Sequence, residues 1–472
     1  MADPAARKLS TLFEGELARP LSPAARRAVQ KDLHALLVWQ TDLSVWRKPR
    51  DVVDALPYVA IYARGKLFGC FGAEGGASGE RLARAFLNAL QDKRFGGLPD
   101  ALRRELSAEV SFVRRVTEVD PSRIEASFEP GTHGLGVVRP RGAVVLLPSV
   151  ARDNGYKARG MLEAIVRKAS LTTPLSERFF SFEVDRVVAR LRAPRRRAET
   201  ARDAAARWLA RLVEPDGAMV FAVDARTGRA MPHGEMHHAR VAAALQALDA
   251  HGGHGAKVTL ARERLGRDAR EALAGVPVTA WPDHPAKVAG TLAHLVRAGV
   301  DVKAELLAMA SLEEVAHVPW HAAQVATALG RDAPGRLVAA CERDLVERPW
   351  APWTVLAAVR RRMSGESLSR AVAALVDSIR MDAPHRGGVS RTEVPEVALT
   401  ALTVEALRGV RQTAKVRAAV ARGEEFIRAW QVGHEDAPAA FDVDSAAGAF
   451  LGSPISSGLR ADVTGHALLA LS

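Results

Sequence analysis

The sequence predicts an α+β domain, mainly antiparallel sheet with flanking helices, followed by an all-α domain of the α/α-toroid kind. Three observations carry this. Apolar, β-branched runs such as PYVAIYARGKLFGCF (57–71) and RGAVVLLPSVA (141–151), separated by glycine and proline, lie before residue 195. The three tyrosines, Tyr58, Tyr62 and Tyr156, lie there too. Beyond 195, alanine-rich segments repeat with helical spacing: Leu368, Val372, Leu375, Val376 and Ile379 form one apolar stripe, and Val241, Leu245 and Leu248 another. The expected domains are 1–195 and 196–472.

The helices of the second part follow from their punctuation. Segments near 200–213, 235–251, 258–274, 285–311 and 318–347 (two pieces each), 350–381 (two pieces), 393–409, 415–432 and 462–471 read as helical. So many helices joined by short loops fit an open solenoid or a closed toroid of helical hairpins. Two long segments favour closure. EPDGAMVFAVDARTGRAMP (214–232) reads as a hairpin after the first helix, and FDVDSAAGAFLGSPISSGLRADVTGH (441–466) as a glycine- and serine-containing excursion before the last.

Composition bounds the function. A chain of 472 residues, 48% hydrophobic and 25% charged, is globular and long enough for two or three domains. No apolar run reaches the ~18 residues of a membrane span, and the N-terminus lacks a secretory pattern, so the expected location is cytoplasmic. Two cysteines, Cys70 and Cys341, exclude a disulfide framework and a zinc site of clustered thiolates. No metal is expected, and no cofactor is indicated. Arg186, Arg190, Arg192, Arg195, Arg196, Arg197 and Arg202, set against Glu199, account for half of the net charge of +12. They read as an Arg-rich connector; without aromatic platforms or a nucleic-acid motif nearby, a nucleic-acid partner is not expected.

Several short motifs in the first part occur together. PYVAIYARGKLFGCFG (57–72) places a strand, a glycine turn and a Gly-Cys-Phe-Gly corner in succession. Asp92, Arg94 and Phe95 follow, then Glu109, Val110 and Ser111, then Gly131, His133 and Gly134, then Leu147, Pro148 and Val150, and a helix ending in Lys168, Ala169 and Leu171. In order and spacing this resembles the AMMECR domain family over roughly residues 20–190. The resemblance implies a fold and a pocket, not a reaction, and its implied ligand contacts are position 68, Gly69, Gly72 and Arg94. Phe68 replaces the family's arginine, whose planar fork could hold an anion.

Cys70 admits two readings. Flanking glycines would let a ligand approach and exposed amides could activate the thiol, with His133 as its base. Equally, a strand end can require a small apolar side chain, and cysteine is among the most buried residue types. The packing reading stands first on general grounds, and Cys70 with His133 is the pair to test.

The ends of the second part are similar to six-hairpin toroids of the glycosidase and epimerase kind: a hairpin precedes a helix opening on His238 and Ala239, and Asp462 and His466 stand four apart on the last helix. Glu235 and His238, with the catalytic candidates Asp462 and His466, would then lie at the mouth. A terpenoid-cyclase reading of Asp442 and Asp444 in FDVDS lacks its third acid at Ser445, and PHGEMHH (232–238) has H-x-E-x-H spacing, which is not the zinc-protease pattern. Trp320, Trp350 and Trp353 read as core fillers or as cleft walls. The functional expectation is a two-domain protein binding an organic small molecule, with the enzyme question open; the alternative is a non-catalytic scaffold docking a protein partner.

Overall fold

β1 (Pro57–Ala63) and β2 (Lys66–Gly72) form an antiparallel hairpin whose two-residue turn, Arg64 and Gly65, takes positive φ at both positions (46° and 76°). This is the mirror-image turn whose twist matches the strands it joins. The computed structural model describes residues 17, 19–42, 44, 46–139, 142–172, 177–191, 200–231, 237–252, 255–273, 285–380, 386–390, 394–433 and 437–471. The hairpin continues into a six-stranded antiparallel sheet with β3 (Leu106–Val119), β4 (Gly134–Arg139), β5 (Gly142–Leu146) and β6 (Phe179–Arg190), in the order β2-β1-β3-β6-β4-β5.

Helices cover one face. α1 (Pro23–Trp39), capped by Ser22 and begun by proline, and α2 (Ser78–Leu90) bury Leu33, Leu36, Leu37 and Phe86 against Ile61 and Val110. After the single turn α3 (Ile124–Ser127), α4 (Pro148–Asn154) and α5 (Ala158–Ala169) cover the β4–β5 end, where Met161 and Ile165 join Leu135, Val137 and Phe179. The other face is inward-curving. Phe180, Phe182, Val113 and Leu147 form its apolar floor, and Cys70 packs at its edge.

From residue 201 the described chain is helical apart from two short strands. The helices are α6 (Ala201–Arg211), α7 (His237–His251), α8 (Gly255–Leu273), α9 (Pro285–Arg297), α10 (Lys303–Ala310), α11 (Glu313–Ala316), α12 (Pro319–Leu329), α13 (Gly335–Glu347), α14 (Pro352–Arg360), α15 (Glu366–Ser378), α16 (Val397–Arg408), α17 (Ala414–Ala429), α18 (Val443–Ala446) and α19 (Ala461–Ala470). The periodicity places each of the longer ones within a few residues of its observed bounds. Packing runs α7 on α9, α9 on α12, α12 on α14, α14 on α16, α16 on α19 and α19 on α7. The intervening α8, α10, α13, α15 and α17 pack outside these, with α6 against both α7 and α19. Alanine at positions such as Ala244, Ala293, Ala326 and Ala357, none exposed by more than 1%, lets the inner helices approach closely.

One expectation is corrected, that of the Arg-rich connector. The segment 214–232 does hold a hairpin, in which Met231 N donates to Ala222 O at 2.8 Å and Asp224 N to Arg229 O at 2.9 Å, and its strand β7 (Ala222–Asp224) also pairs with β8 (Gly458–Arg460), so the two long segments zip together beside α19. Arg186 and Arg190 are not connector residues but lie in β6; residues 192–199 fall outside the described residues. Asp442 and Asp444 are both exposed, at the short helix α18. Asp442 caps α18, accepting from Asp444 N at 3.2 Å and from Ser445 Oγ at 2.6 Å, which is a loop-stabilising arrangement.

The two parts of the chain share one core. Ala60, Tyr62 and Val188 of the sheet belong to the same cluster as Trp208 and Leu209 of α6. A strap before α18 crosses the sheet's inward face: Ser107 Oγ donates to Ala439 O at 2.6 Å, Ala439 N donates to Glu109 at 3.2 Å, and Arg190 donates to the carbonyls of Ala437 and Pro438, each at 2.8 Å. Gly65 meets the helical part directly, since a Cβ there would lie 2.7 Å from Cβ and O of Arg226.

Candidate functional site

The Cys70 corner is a structural joint. β1 and β2 change register between Ile61 and Tyr62: Leu67 opposes Tyr62 and Gly69 opposes Ile61, leaving Phe68 without a partner. This bulge breaks the simple alternation that would put Phe68 and Cys70 on one face. Phe68, 4% exposed, joins the α1–α2 core, while Leu67 and Cys70 face the opposite side. In this chain the position of the family's arginine therefore points into hydrocarbon, and Phe68 is not placed to touch a ligand at Cys70. The two glycines serve packing: a Cβ at Gly72 would collide with the Tyr58 ring, and one at Gly69 with the backbone of Ala89.

Asp92 and Arg94 hold the same strand. Asp92 accepts from Cys70 N at 3.2 Å, and Arg94 Nη2 donates to Cys70 O at 2.9 Å while its guanidinium grips Asp92 at 2.7 and 2.8 Å. Arg94 is thus committed to the fold. Burial pushes the Cys70 thiol up to about 11, against the opposing charges of Lys168 and Arg94. His133 lies at the start of β4, separated from β2 by three strands in the sheet order, and its Nδ1 accepts from Glu129 N at 3.2 Å. The structure does not bring the two together. Alkylation of Cys70 by iodoacetamide at pH 8 is expected to run roughly 100-fold slower in the folded chain than in urea, because the thiolate is the reactive form. A folded-state rate close to that of an ordinary thiol, followed by mass spectrometry, would contradict this.

The helical part holds a better candidate. A cavity of about 540 Å³ opens among the inner helices, with Arg240 from α7, His294 from α9, Trp320 and Gln324 from α12, Trp353 from α14, Leu402 from α16 and Asp462 and His466 from α19. It narrows at its floor toward Arg297 and Glu405. The spacing of Asp462 and His466 puts both on the cleft side of α19. Glu235 lies outside the described residues. His238, half-buried, opens α7, and the next two residues, Ala239 and Arg240, supply the wall instead. Trp320 and Trp353 pack edge to face at 6.5 Å and line the cleft, while Trp350 is 41% exposed outside it.

Charge in the cleft is arranged by Arg460 at the end of β8. Its Nε donates to Asp462 Oδ1 at 2.9 Å, and Arg240 Nε stands 3.7 Å from Oδ2. Burial opposes ionisation of Asp462, but the Arg460 fork, with His466 and Arg240 beyond it, outweighs burial and holds the carboxyl below its ordinary value. Both arginines also lie over the Phe221 ring, at 5.7 and 5.8 Å. Arg240 was missed in the sequence because Asp462 reaches it only through the packing of α7 on α19, whereas Arg460 stands two residues before Asp462 and was overlooked.

The floor is a set of buried imidazoles. Gln246 donates to His294 Nδ1 at 2.7 Å and accepts from Arg297 at 3.0 and 3.2 Å. Burial, then the charge of Arg297, pushes His294 well below its ordinary value. Burial also lowers His466, against the pull of Asp462. His466 Nδ1 and Gln324 Oε1 are buried without a hydrogen-bond partner among the described residues. At neutral pH the site thus presents an ionised carboxylate, neutral imidazoles and two indole walls.

The histidines carry a sign. Below about pH 6.5 the unfolded chain protonates both, whereas the folded chain resists, so stability falls as pH falls through that window, by up to roughly 2–3 kcal/mol per pH unit. His466→Gln is expected to reduce the slope by about half, which urea unfolding at pH 7, 6 and 5 would measure; an unchanged slope would remove the assignment.

Comparison with known proteins bears on the first part of the chain. Residues 24–187 match the AMMECR1 family model. A crystal structure of an uncharacterised protein from Pyrococcus horikoshii is similar at 19% identity, covering 35% of this chain and 90% of that one with a TM-score of 0.30. No curated protein matches the chain. Among the described residues no helix is long and apolar enough to cross a membrane, and no group of three or more His, Cys, Asp or Glu is placed to hold a metal ion.

Proposed function

We propose that the residues after about 195 form an α/α toroid of six helical hairpins whose mouth binds a polyhydroxylated organic molecule of the sugar or sugar-acid class. The succession of packed inner helices, in which the last returns to the first, supports the toroid. The AMMECR-like part then serves as a second, attached domain, and the whole acts in the cytoplasm. The ligand class rests on the cleft. Flat aromatic walls accept the apolar face of a pyranose ring, and the Arg460–Asp462 pair offers an oriented acceptor edge.

The observation that carries the reading is the unpartnered His466 Nδ1 and Gln324 Oε1 in the aromatic-walled cleft. Buried polar atoms are normally paired, and a ligand hydroxyl satisfies both kinds. If chemistry occurs here, His466 is the proton acceptor, because its Nδ1 has no hydrogen-bond partner among the described residues, whereas both oxygens of Asp462 are held by Arg460.

A thermal-shift screen of monosaccharides and uronic acids against the full chain tests this. At 100-fold excess over Kd a ligand contributes about 2.7 kcal/mol to stability, and His466→Ala and Trp320→Ala should each remove most of the shift. No stabilising compound, or a shift that both variants retain, would sink the proposal.

A further inference from the structure

The wall between the sheet and the helical part encloses another cavity, of about 490 Å³, which neither Cys70 nor the cleft of the inner helices reaches. Its floor comes from β3, where Glu109 and Ser111 face inward, 3% and 2% exposed. Across the sheet Ser111 opposes Arg186 of β6, whose guanidinium stands 3.7 Å from Glu109. The short helix α4 adds Ser149 from its first turn and Arg152 from its last, and Trp430, just after α17, forms part of the far wall. The strap at Ala437 and Pro438 closes one side.

Arg152 is the anomaly. It is 8% exposed, and its Nε donates to Asp153 Oδ1 at 3.2 Å, which occupies one edge of the fork. Its Nη2 is buried with no hydrogen-bond partner among the described residues. Guanidinium does not deprotonate to escape burial, so a donor on a permanently charged group is left unmet, at a cost above that of a neutral one. Glu109 does not meet it: that carboxylate accepts from Ala439 N and faces Arg186. On the cavity wall, Arg152, Arg186 and Arg386 outnumber Glu109 and Glu425.

We propose that this junction is a second binding site, for a small organic anion whose carboxylate or phosphate is held by Arg152 and Arg186 and whose body lies against Trp430. Two arginines converging from α4 and β6 match the planar recognition of an oxyanion, and a cavity of this volume takes a ligand of metabolite size. The site needs both parts of the chain, since β3, β6 and α4 supply the polar groups and the helical part supplies the walls. It is independent of the proposed sugar-binding cleft.

The test uses the full chain. Inorganic phosphate and benzoate are titrated in separate arms by calorimetry, with Trp430 fluorescence, referenced to Trp430→Phe, as a local readout. One probe is expected to bind, and the arm that responds distinguishes the two oxyanions. Arg152→Gln and Arg186→Gln should each weaken binding tenfold or more, raised salt should weaken it further, and His466→Ala should leave it intact. Should Arg152→Gln fail to fold, the partly exposed Arg186→Gln decides. Binding of neither probe, or binding that Arg186→Gln leaves unchanged, overturns the proposal.

Discussion

Gly69→Ala is expected to cost more than 4 kcal/mol and to leave much of the chain unfolded at 37 °C, a loss comparable to the whole stability of a marginal domain. A Cβ at this position would fall inside the carbonyl oxygen of Ala89, 2.7 Å from the carbonyl carbon and 3.0 Å from Asp92 Cβ. The opposing atoms are backbone at the end of α2, so no rotamer change relieves the clash. The helix would have to lift from β1 and β2, opening a core in which Ala85, Phe86 and Ala89 are completely buried. Gly335→Ala is the control, because nothing lies within 4 Å of a Cβ at the start of α13; it should be neutral or slightly stabilising through helix propensity. Urea unfolding followed by circular dichroism separates them, and a Gly69→Ala cost below 1 kcal/mol would contradict the packing account of the glycine-rich corner.

Arg297→Met is expected to destabilise by about 3–5 kcal/mol, because it strands a carboxylate under the cleft. Arg297 Nη2 donates to Glu405 at 3.1 Å, with the two side chains 18% and 14% exposed, and the same guanidinium donates to Gln246, which orients His294. Burial already lowers the Arg297 guanidinium from its ordinary value, with Glu405 as the main opposing influence. The double change Arg297→Met with Glu405→Leu should recover most of the loss, since removing both charges removes the desolvation penalty. If the double variant is as unstable as the single, the ion pair itself, and not the stranded charge, is what matters.

Much of this architecture was legible beforehand. Strand runs and helical stripes are local signals, so β1 and β2 could be placed from residues 57–71, α15 from 368–379, and the other long helices of the second part from stripes of the same kind. Asp462 and His466 were legible for the same reason: their spacing is an intrahelical fact. Arg240 and His294 were not, because they reach the cleft only after α7 packs on α9 and α19; Arg460, two residues before Asp462, was overlooked. Phe68 misled for a different reason. A one-residue bulge reverses the side on which a strand residue emerges, and no composition or periodicity encodes it. Arg186 and Arg190 looked like part of a charged connector because their neighbours in sequence are arginines; their neighbours in space are Glu109 and the carbonyls of the strap.

The strap sets a timetable as well as a contact. Its bonds from Ala439 to Ser107 and Glu109 join residues 332 and 330 positions apart. At synthesis rates of about 5–20 residues per second, β3 waits on the order of 15–70 s on the ribosome before that cover can be made. During this interval the emerging chain carries uncovered Tyr62, Val188 and acidic Glu109, so nascent-chain chaperones have a defined window in which to act. A circular permutant that delivers 437–441 ahead of β3 would shorten that window and should raise the soluble yield.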